Sequence, residues 1–490
     1  MHLTTAQRDR AVGAIVGMAC GDALGAPYEF QPARINGEMV ELAGGGGWAP
    51  GEWTDDTAMA VAILEVIAQG GDLDSEAGQS AVVEGWLRWL ESGPKDIGIQ
   101  TSSVLRAVRS ERTAAAAHAA AAAYAASTDR AAGNGSLMRT APVALVFLDD
   151  PDTLWRVAME ISALTHSDLN CQEACALWCM GIRTAVLDGS FDGLRSALHR
   201  LEPGRREYWT ELLDEAEAGL PHEFEHNGWV VHALQAAWSA IHHTEVPELA
   251  PQEDSFPCQH AERAIENAVR CGFDTDTVGA IAGMLAGARW GVSGLPLKWQ
   301  LLLNGYPGLS GWDLIRLADA AITFGTTGQL AKPVPQMPMQ PGWVTDASME
   351  VREASGLVLG GQQILRDGEF DAVVSLSRIG SEESSLPAAQ HARVWVMDSE
   401  DPEQNRNLHY LLRQVSDLLD SWLGEGRRVL LHCVQAQNRT PSFGMAYLML
   451  HRGLDYAAAR AVVESGLHTA QPHGYLDRAA RDFAPSTEAR

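Results

Sequence analysis

Residues 325–345 read Gly325-Thr326-Thr327-Gly328-Gln329-Leu330-Ala331-Lys332-Pro333-Val334-Pro335-Gln336-Met337-Pro338-Met339-Gln340-Pro341-Gly342-Trp343-Val344-Thr345. Four prolines and three glycines in one short span suit an extended connector, because proline removes a backbone donor and glycine adds conformational freedom. The stretch separates two sequence grammars. Before it, apolar residues recur at helical spacing, as in Val12, Ile15, Val16 and Ala19, and alternation is scarce. After it, Ala372-Val373-Val374-Ser375-Leu376, Val394-Trp395-Val396-Met397 and Val429-Leu430-Leu431 read as short buried strands. An amphipathic helix is expected over 408–423 and another from about Pro441. The expectation is a multidomain chain: an all-α domain over 6–325, a Pro-rich linker over 326–345 and a small α/β sheet domain over 346–490.

The length of 490 residues allows two or three domains. Acidic residues outnumber basic ones, 63 to 36, for a net charge of −27. That balance argues against a grip on nucleic-acid phosphates or anionic lipid, which both need clustered Lys and Arg. The opening Met1-His2-Leu3-Thr4-Thr5-Ala6-Gln7 has no basic lead into an apolar segment, and no stretch reads as the run of about 20 apolar residues that spans a bilayer. A cytoplasmic protein with neither nucleic-acid nor membrane partners is expected. Seven scattered cysteines, an odd number, fit reduced thiols. Cys171, Cys175 and Cys179, one helical turn apart, read as small buried hydrophobes.

Two acidic clusters stand out. Trp53-Thr54-Asp55-Asp56-Thr57 precedes one apolar helical stretch, and Gly272-Phe273-Asp274-Thr275-Asp276-Thr277 precedes another. Either could be a helix N-cap. Capping uses one carboxylate, however, and four acids brought together repel unless a cation compensates. Carboxylate and threonine oxygens are hard donors, suited to a pair of Mg²⁺ or Mn²⁺ ions. In 17–29, small residues at Gly17, Gly21 and Gly25 permit close helix packing, and Pro27 ends the helix so that Glu29 falls on a loop. Asp22, inside that helix, reads as a buried structural acid. Gly133-Asn134-Gly135-Ser136-Leu137-Met138-Arg139 reads as a flexible backbone leading into a helix start, able to offer N–H groups to a phosphate.

Taken together and in this order, 17–29, Thr54-Asp55-Asp56-Thr57, Asp96-Ile97-Gly98, 133–139, Leu164-Thr165-His166 and Asp274-Thr275-Asp276-Thr277 resemble the ADP-ribosylglycohydrolase family over about the first 325 residues. The resemblance implies an all-α fold and a binuclear Mg²⁺ or Mn²⁺ centre held by Thr54, Asp55, Asp56, Asp274, Asp276 and Thr277. It implies further that Glu29 and Asp96 face the ribose, while Gly133, Asn134, Gly135, Ser136 and His166 line an ADP-ribose cleft. Cleaving a ribosyl bond passes through an oxocarbenium-like state and needs an activated water. Glu29, Asp56 or Asp96 could take the proton.

In the second domain, Leu430-Leu431-His432-Cys433-Val434-Gln435-Ala436-Gln437-Asn438-Arg439-Thr440 places a cysteine after a strand and an arginine before a helix. A thiolate there would be stabilised by loop N–H groups and Arg439, which would equally bind a phosphoryl group. Asp401, or failing that Asp398, could protonate a leaving oxygen. With Val373-Val374-Ser375-Leu376 and Ala446-Tyr447-Leu448-Met449, this stretch resembles the dual-specificity, tyrosine-phosphatase-like family over 355–470. Ala436 stands where that family's loop usually carries glycine.

The expected function is a metal-dependent hydrolase that removes ADP-ribose from modified protein side chains, arginine first. Its partners would be an ADP-ribosylated protein or an ADP-ribose-containing small molecule. Two alternatives remain: a Cys433-dependent phosphatase whose larger domain only binds ADP-ribose, and a non-catalytic ADP-ribose sensor.

Overall fold

The computed structural model describes residues 1–35, 37–332, 345–379 and 384–484. Most of the expected linker, 333–344, lies outside the described residues. The described chain forms two compact units, one of 1–245, 260–295 and 302–331, the other of 246–259, 296–301 and 332–490.

The first unit is helical. Five of its helices position the residues of interest: α1 (Thr5–Gly25), α2 (Asp55–Ala68), α3 (Ile99–Ala107), α4 (Leu169–Asp188) and α5 (Thr275–Trp290). Thr4 starts α1 with a reciprocal capping box to Gln7. Both α1 and α5 are buried on nearly every side, so neither shows a polar stripe. They run antiparallel in backbone contact. A Cβ on Gly13, Gly17 or Gly21 would strike the backbone of Gly287, Gly283 or Gly279 respectively, and one on Gly25 would strike Asp276. Four glycines spaced one turn apart therefore set the register of α1 on α5. The end of α1 is thereby delivered to the start of α5, where the acids lie.

Thr5–Tyr28 is in fact long and apolar enough to cross a membrane, contrary to the sequence expectation, but 89% of its apolar window is buried within the protein. The last helix of the unit, Gly311–Thr327, continues two residues into the expected linker and stops where Gly328 takes φ +68°.

The second unit holds a five-stranded sheet of β1 (Ser348–Glu350), β2 (Leu357–Gly360), β3 (Ala372–Ser375), β4 (His391–Arg393) and β5 (Val429–His432), in the order β1-β2-β5-β3-β4. Only β1 with β2 is antiparallel. The helices α6 (Leu408–Gly424) and α7 (Arg439–Arg452) follow β4 and β5. The strand expected over Val394-Trp395-Val396-Met397 forms earlier, at 391–393. Val394 N–H still bonds Ser375 O at 2.9 Å, but β3 ends there, so no ladder continues. His432 pairs with Gly360 on one side and Ser375 on the other, which places Cys433 at the carboxyl end of the central strand. In an open parallel sheet that is the ligand-binding edge.

Candidate active site

The first acidic cluster opens α2, yet neither of its aspartates caps that helix. The cap comes from α1: Asp22, fully buried, accepts Thr54 N–H at 2.9 Å, Thr57 N–H at 3.0 Å and the Thr57 hydroxyl at 2.6 Å. Asp22 is thus the structural acid that its position in the helix suggested, and Asp55 and Asp56 are left free of capping duty. Asp274 does not cap α5 either. Its Oδ2 accepts the Asn134 amide at 2.8 Å, while its N–H donates to Asn227 Oδ1 at 3.1 Å. Asp276 Oδ1 accepts Thr277 N–H at 2.9 Å.

The two clusters meet. The Thr54 hydroxyl donates to Asp56 Oδ2 at 3.2 Å, and the Thr277 hydroxyl donates to the same oxygen at 3.5 Å. Asp56 Oδ1 is buried with no hydrogen-bond partner. One carboxylate oxygen each from Glu29, Asp274 and Asp276 lie within 4.8 Å of one another. Glu29 follows the short turn Ala26–Tyr28, so Pro27 does release it from α1 onto a loop. The structure therefore adds Glu29, assigned by sequence to the ribose, to the candidate metal-binding group.

Electrostatics bind the set together. Burial, then Asp274, Asp96 and Asp55, push Glu29 up to about 8. Burial, then Asp96 and Asp22, push Asp55 up to about 7, and burial holds Asp22 at about 6 against its three hydrogen bonds. Asp56 and Asp276 are driven well above the ordinary carboxylate range, and Asp274 is raised. A buried carboxylate normally finds a cation or enough donors. Here the acids face one another, one buried oxygen is unpaired, and the donor set is all oxygen. That chemistry fits hard divalent ions.

Beside the acids, 133–139 forms turns, and the next helix begins only at Ala141, so the helix start expected within the segment is absent. Asn134 N–H donates to Gly228 O at 3.1 Å, and its amide bridges Asn227 O and Asp274. Asn134 therefore ties the loop to the acidic cluster. Ser136 is turned inward and bonded by the Ser162 hydroxyl at 2.8 Å. Cys171 and Cys175 support the loop from below through Gly133 O and Ser136. All seven cysteines are free and buried. Gly133 and Gly135 pack against the buried His166 ring. Phe30 and Phe273, each next to a cluster acid, are exposed on left-handed backbone at φ +62° and +60°, and Phe30 N–H bonds Phe273 O at 2.6 Å. Such conformations are costly for aromatic residues and concentrate at functional sites.

In the second unit, Cys433 is buried at the mouth of the loop that leads into α7. Arg439 Nη1 donates to Leu376 O at 3.3 Å and Val396 O at 3.1 Å. Asp398 Oδ1 accepts the Asn438 amide at 2.8 Å, and its Oδ2 lies 3.9 Å from Arg439 Nε. Asp401 instead caps the turn Pro402–Asn405 through Glu403 N–H at 3.0 Å and is exposed. The carboxylate at the thiol loop is therefore Asp398, which corrects the order of preference read from sequence. Ala436 is buried at φ +52°.

These features define a helical unit with a cluster of carboxylate and hydroxyl oxygens, joined in one chain to a sheet unit with a loop running from Cys433 to Arg439. Comparison agrees. The model of the ADP-ribosylglycohydrolase family matches 3–329, and that of the dual specificity phosphatase catalytic domain matches 358–476. Over 305 residues the chain is 30% identical to the ADP-ribosyl-[dinitrogen reductase] glycohydrolase of Rhodospirillum rubrum, covering 60% of this chain and 90% of that protein. It is also 30% identical over 302 residues to the ADP-ribosylarginine hydrolase Tri1 of Pseudomonas putida, covering 59% and 73%. A solved ADP-ribosylglycohydrolase-related protein complex aligns at 28% identity and a TM-score of 0.49, covering 66% of this chain and all of that one. The chain belongs to the ADP-ribosylglycohydrolase family and carries a second domain resembling the dual-specificity phosphatases.

Proposed function

We propose that the helical unit is a metal-dependent hydrolase that releases ADP-ribose from modified protein side chains, with arginine as the first substrate. The observation that carries this reading is the group of acids from three separate stretches of chain that raise one another, with Asp55 and Asp56 left free of capping because Asp22 caps α2. Thr54, Asp55, Asp56, Asp274, Asp276 and Thr277 would hold two Mg²⁺ or Mn²⁺ ions, with Glu29 beside them. Bound divalent ions would supply Lewis-acid activation of a water and orient the ribose hydroxyls. Glu29, Asp56 or Asp96 would take the proton from that water. Asn134 keeps Asp274 oriented through its amide. The arginine assignment is supported by the similarity to the ADP-ribosylarginine hydrolase of Pseudomonas putida.

The experiment is ADP-ribose release from ADP-ribosylarginine by wild type, Asp55→Ala/Asp56→Ala and Cys433→Ser, each after chelation and then with Mn²⁺ or Mg²⁺. Loss on chelation, recovery with metal and survival of Cys433→Ser are expected. Glycohydrolysis untouched by chelator but abolished in Cys433→Ser would overturn the reading.

For the sheet unit we infer a thiolate phosphatase slowed by its own loop, with Cys433 as nucleophile, Arg439 as phosphate ligand and Asp398 as proton donor. The left-handed Ala436 supports the slow turnover.

A further inference from the structure

Three adjacent strands of the sheet unit each bury one polar side chain at the same place. Ser375 ends β3 and lies opposite His432, the last residue of β5, while His391 opens β4 on the other side. Ser375 Oγ stands 2.6 Å from His432 Nε2 and 2.8 Å from His391 Nε2, and all three residues are buried. Two imidazoles therefore share one hydroxyl.

A hydroxyl has a single proton, so it can donate to only one ring, and the other must bring a proton of its own. The far nitrogens decide which. His432 Nδ1 lies 3.4 Å from Cys433 O, and a carbonyl only accepts, so this contact is a hydrogen bond only with the proton on Nδ1. A proton on His391 Nδ1 would instead be stranded, because that atom is buried without a hydrogen-bond partner. Burial, then Arg393 and His432, hold His391 neutral down to about 2, so it has one proton to place. One order satisfies every contact: His391 Nε2–H to Ser375 Oγ, the Ser375 hydroxyl to His432 Nε2, and His432 Nδ1–H to Cys433 O.

The path ends at the peptide of the thiol residue. His432 O accepts Leu376 N–H at 2.9 Å, and Val434 O accepts Gln362 N–H at 3.2 Å. The carbonyl between them, that of Cys433, is held by the His432 ring. Backbone thus pins the flanking peptides, while the middle one depends on how an imidazole is protonated and turned.

We propose that Ser375 and His391 are positioning residues for the sheet unit's thiol: the buried path from His391 through Ser375 and His432 locks the Cys433 carbonyl, and with it the start of the loop that leads to Arg439. This rests on reading Cys433 as a phosphatase nucleophile.

The test uses the full-length protein in wild-type form and as Ser375→Ala, Ser375→Thr, His391→Met and His391→Gln. Threonine keeps the hydroxyl and a glutamine amide can still donate to it, whereas alanine and methionine break the path. Tautomers are read by ¹⁵N NMR of histidine-labelled protein, assigned by the signals lost in His391→Gln and His432→Gln, with aryl phosphate turnover and thermal unfolding measured alongside. Wild type should carry opposite tautomers, Nε2–H on His391 and Nδ1–H on His432. Ser375→Ala should mix them, and Ser375→Thr should restore them. Ser375→Ala and His391→Met should each lower kcat about tenfold, the worth of one hydrogen bond near 1.4 kcal/mol, with cooperative unfolding retained. Ser375→Thr and His391→Gln should recover most of that loss. The same tautomer on both rings in wild type, or Ser375→Ala and His391→Met turning over aryl phosphate as wild type does, overturns the proposal. A loss that neither conservative variant recovers is structural damage and overturns it too. A wild type without aryl phosphate turnover removes the phosphatase reading and this proposal with it, while an active wild type with unaffected variants removes this proposal alone.

Discussion

Asp22 holds Thr57 by both its N–H, at 3.0 Å, and its hydroxyl, at 2.6 Å, so a residue of α1 caps the first turn of α2. This single attachment fixes how the end of one helix presents the carboxylates of the next. Asp22→Asn would turn an amide N–H toward one of three donors. We expect a loss of about 3 kcal/mol in urea unfolding, together with weakened Mn²⁺ binding because Asp55 and Asp56 lose their frame.

The glycine seam between α1 and α5 makes a second demand. Gly21→Ala places a methyl against Gly279 O, and the helices must part. A loss of about 2 kcal/mol or more is expected, visible as a lower thermal midpoint. Gly204→Ala, in the helix Pro203–Ala218 with nothing near its Cβ, should instead be neutral or stabilising by up to about 1 kcal/mol.

The raised acids dictate a pH dependence. Glu29, Asp55 and Asp22 hold protons in the folded state up to about 8, 7 and 6, above their ordinary values of 4.5, 3.8 and 3.8. Between those limits the native state binds more protons than the unfolded one, so stability falls as pH rises. Chelated protein should therefore melt at a higher temperature at pH 5 than at pH 8. Divalent ions should recover more of the loss at pH 8, since they compete with protons for the same oxygens.

The phosphate loop gives a test of opposite sign. Ala436→Gly removes a left-handed alanine and should stabilise by about 1 kcal/mol while raising turnover of an aryl phosphate. Asp398→Asn should slow that turnover at least tenfold, an effect of the size general acids supply, and Asp401→Asn should leave it near wild type.

Much of this was legible in the sequence because it is local. The glycines at 17, 21 and 25 announce a close-packed helix, Pro27 announces its end, and two Asp/Thr clusters announce a site. What could not be read is pairing across the chain. Nothing near Gly21 names Gly279 as its partner, since that register exists only once two helices are laid together. Asp398 and Asp401 are three residues apart, and only the turn at Pro402 shows that one caps while the other faces the loop. Ser136 looked like its glycine neighbours and is turned the other way by Ser162. His391 carried no signal at all: a histidine at the start of a strand becomes conspicuous only when its ring is found buried against Ser375.

Crystals grown with Mn²⁺ and measured for anomalous scattering put the whole account to trial in one data set. Two peaks among Asp55, Asp56, Asp274 and Asp276, with the threonine hydroxyls turned from Asp56 toward the ions, are the predicted result. Well-diffracting crystals in saturating Mn²⁺ with those side chains unchanged and no peak between them would contradict it.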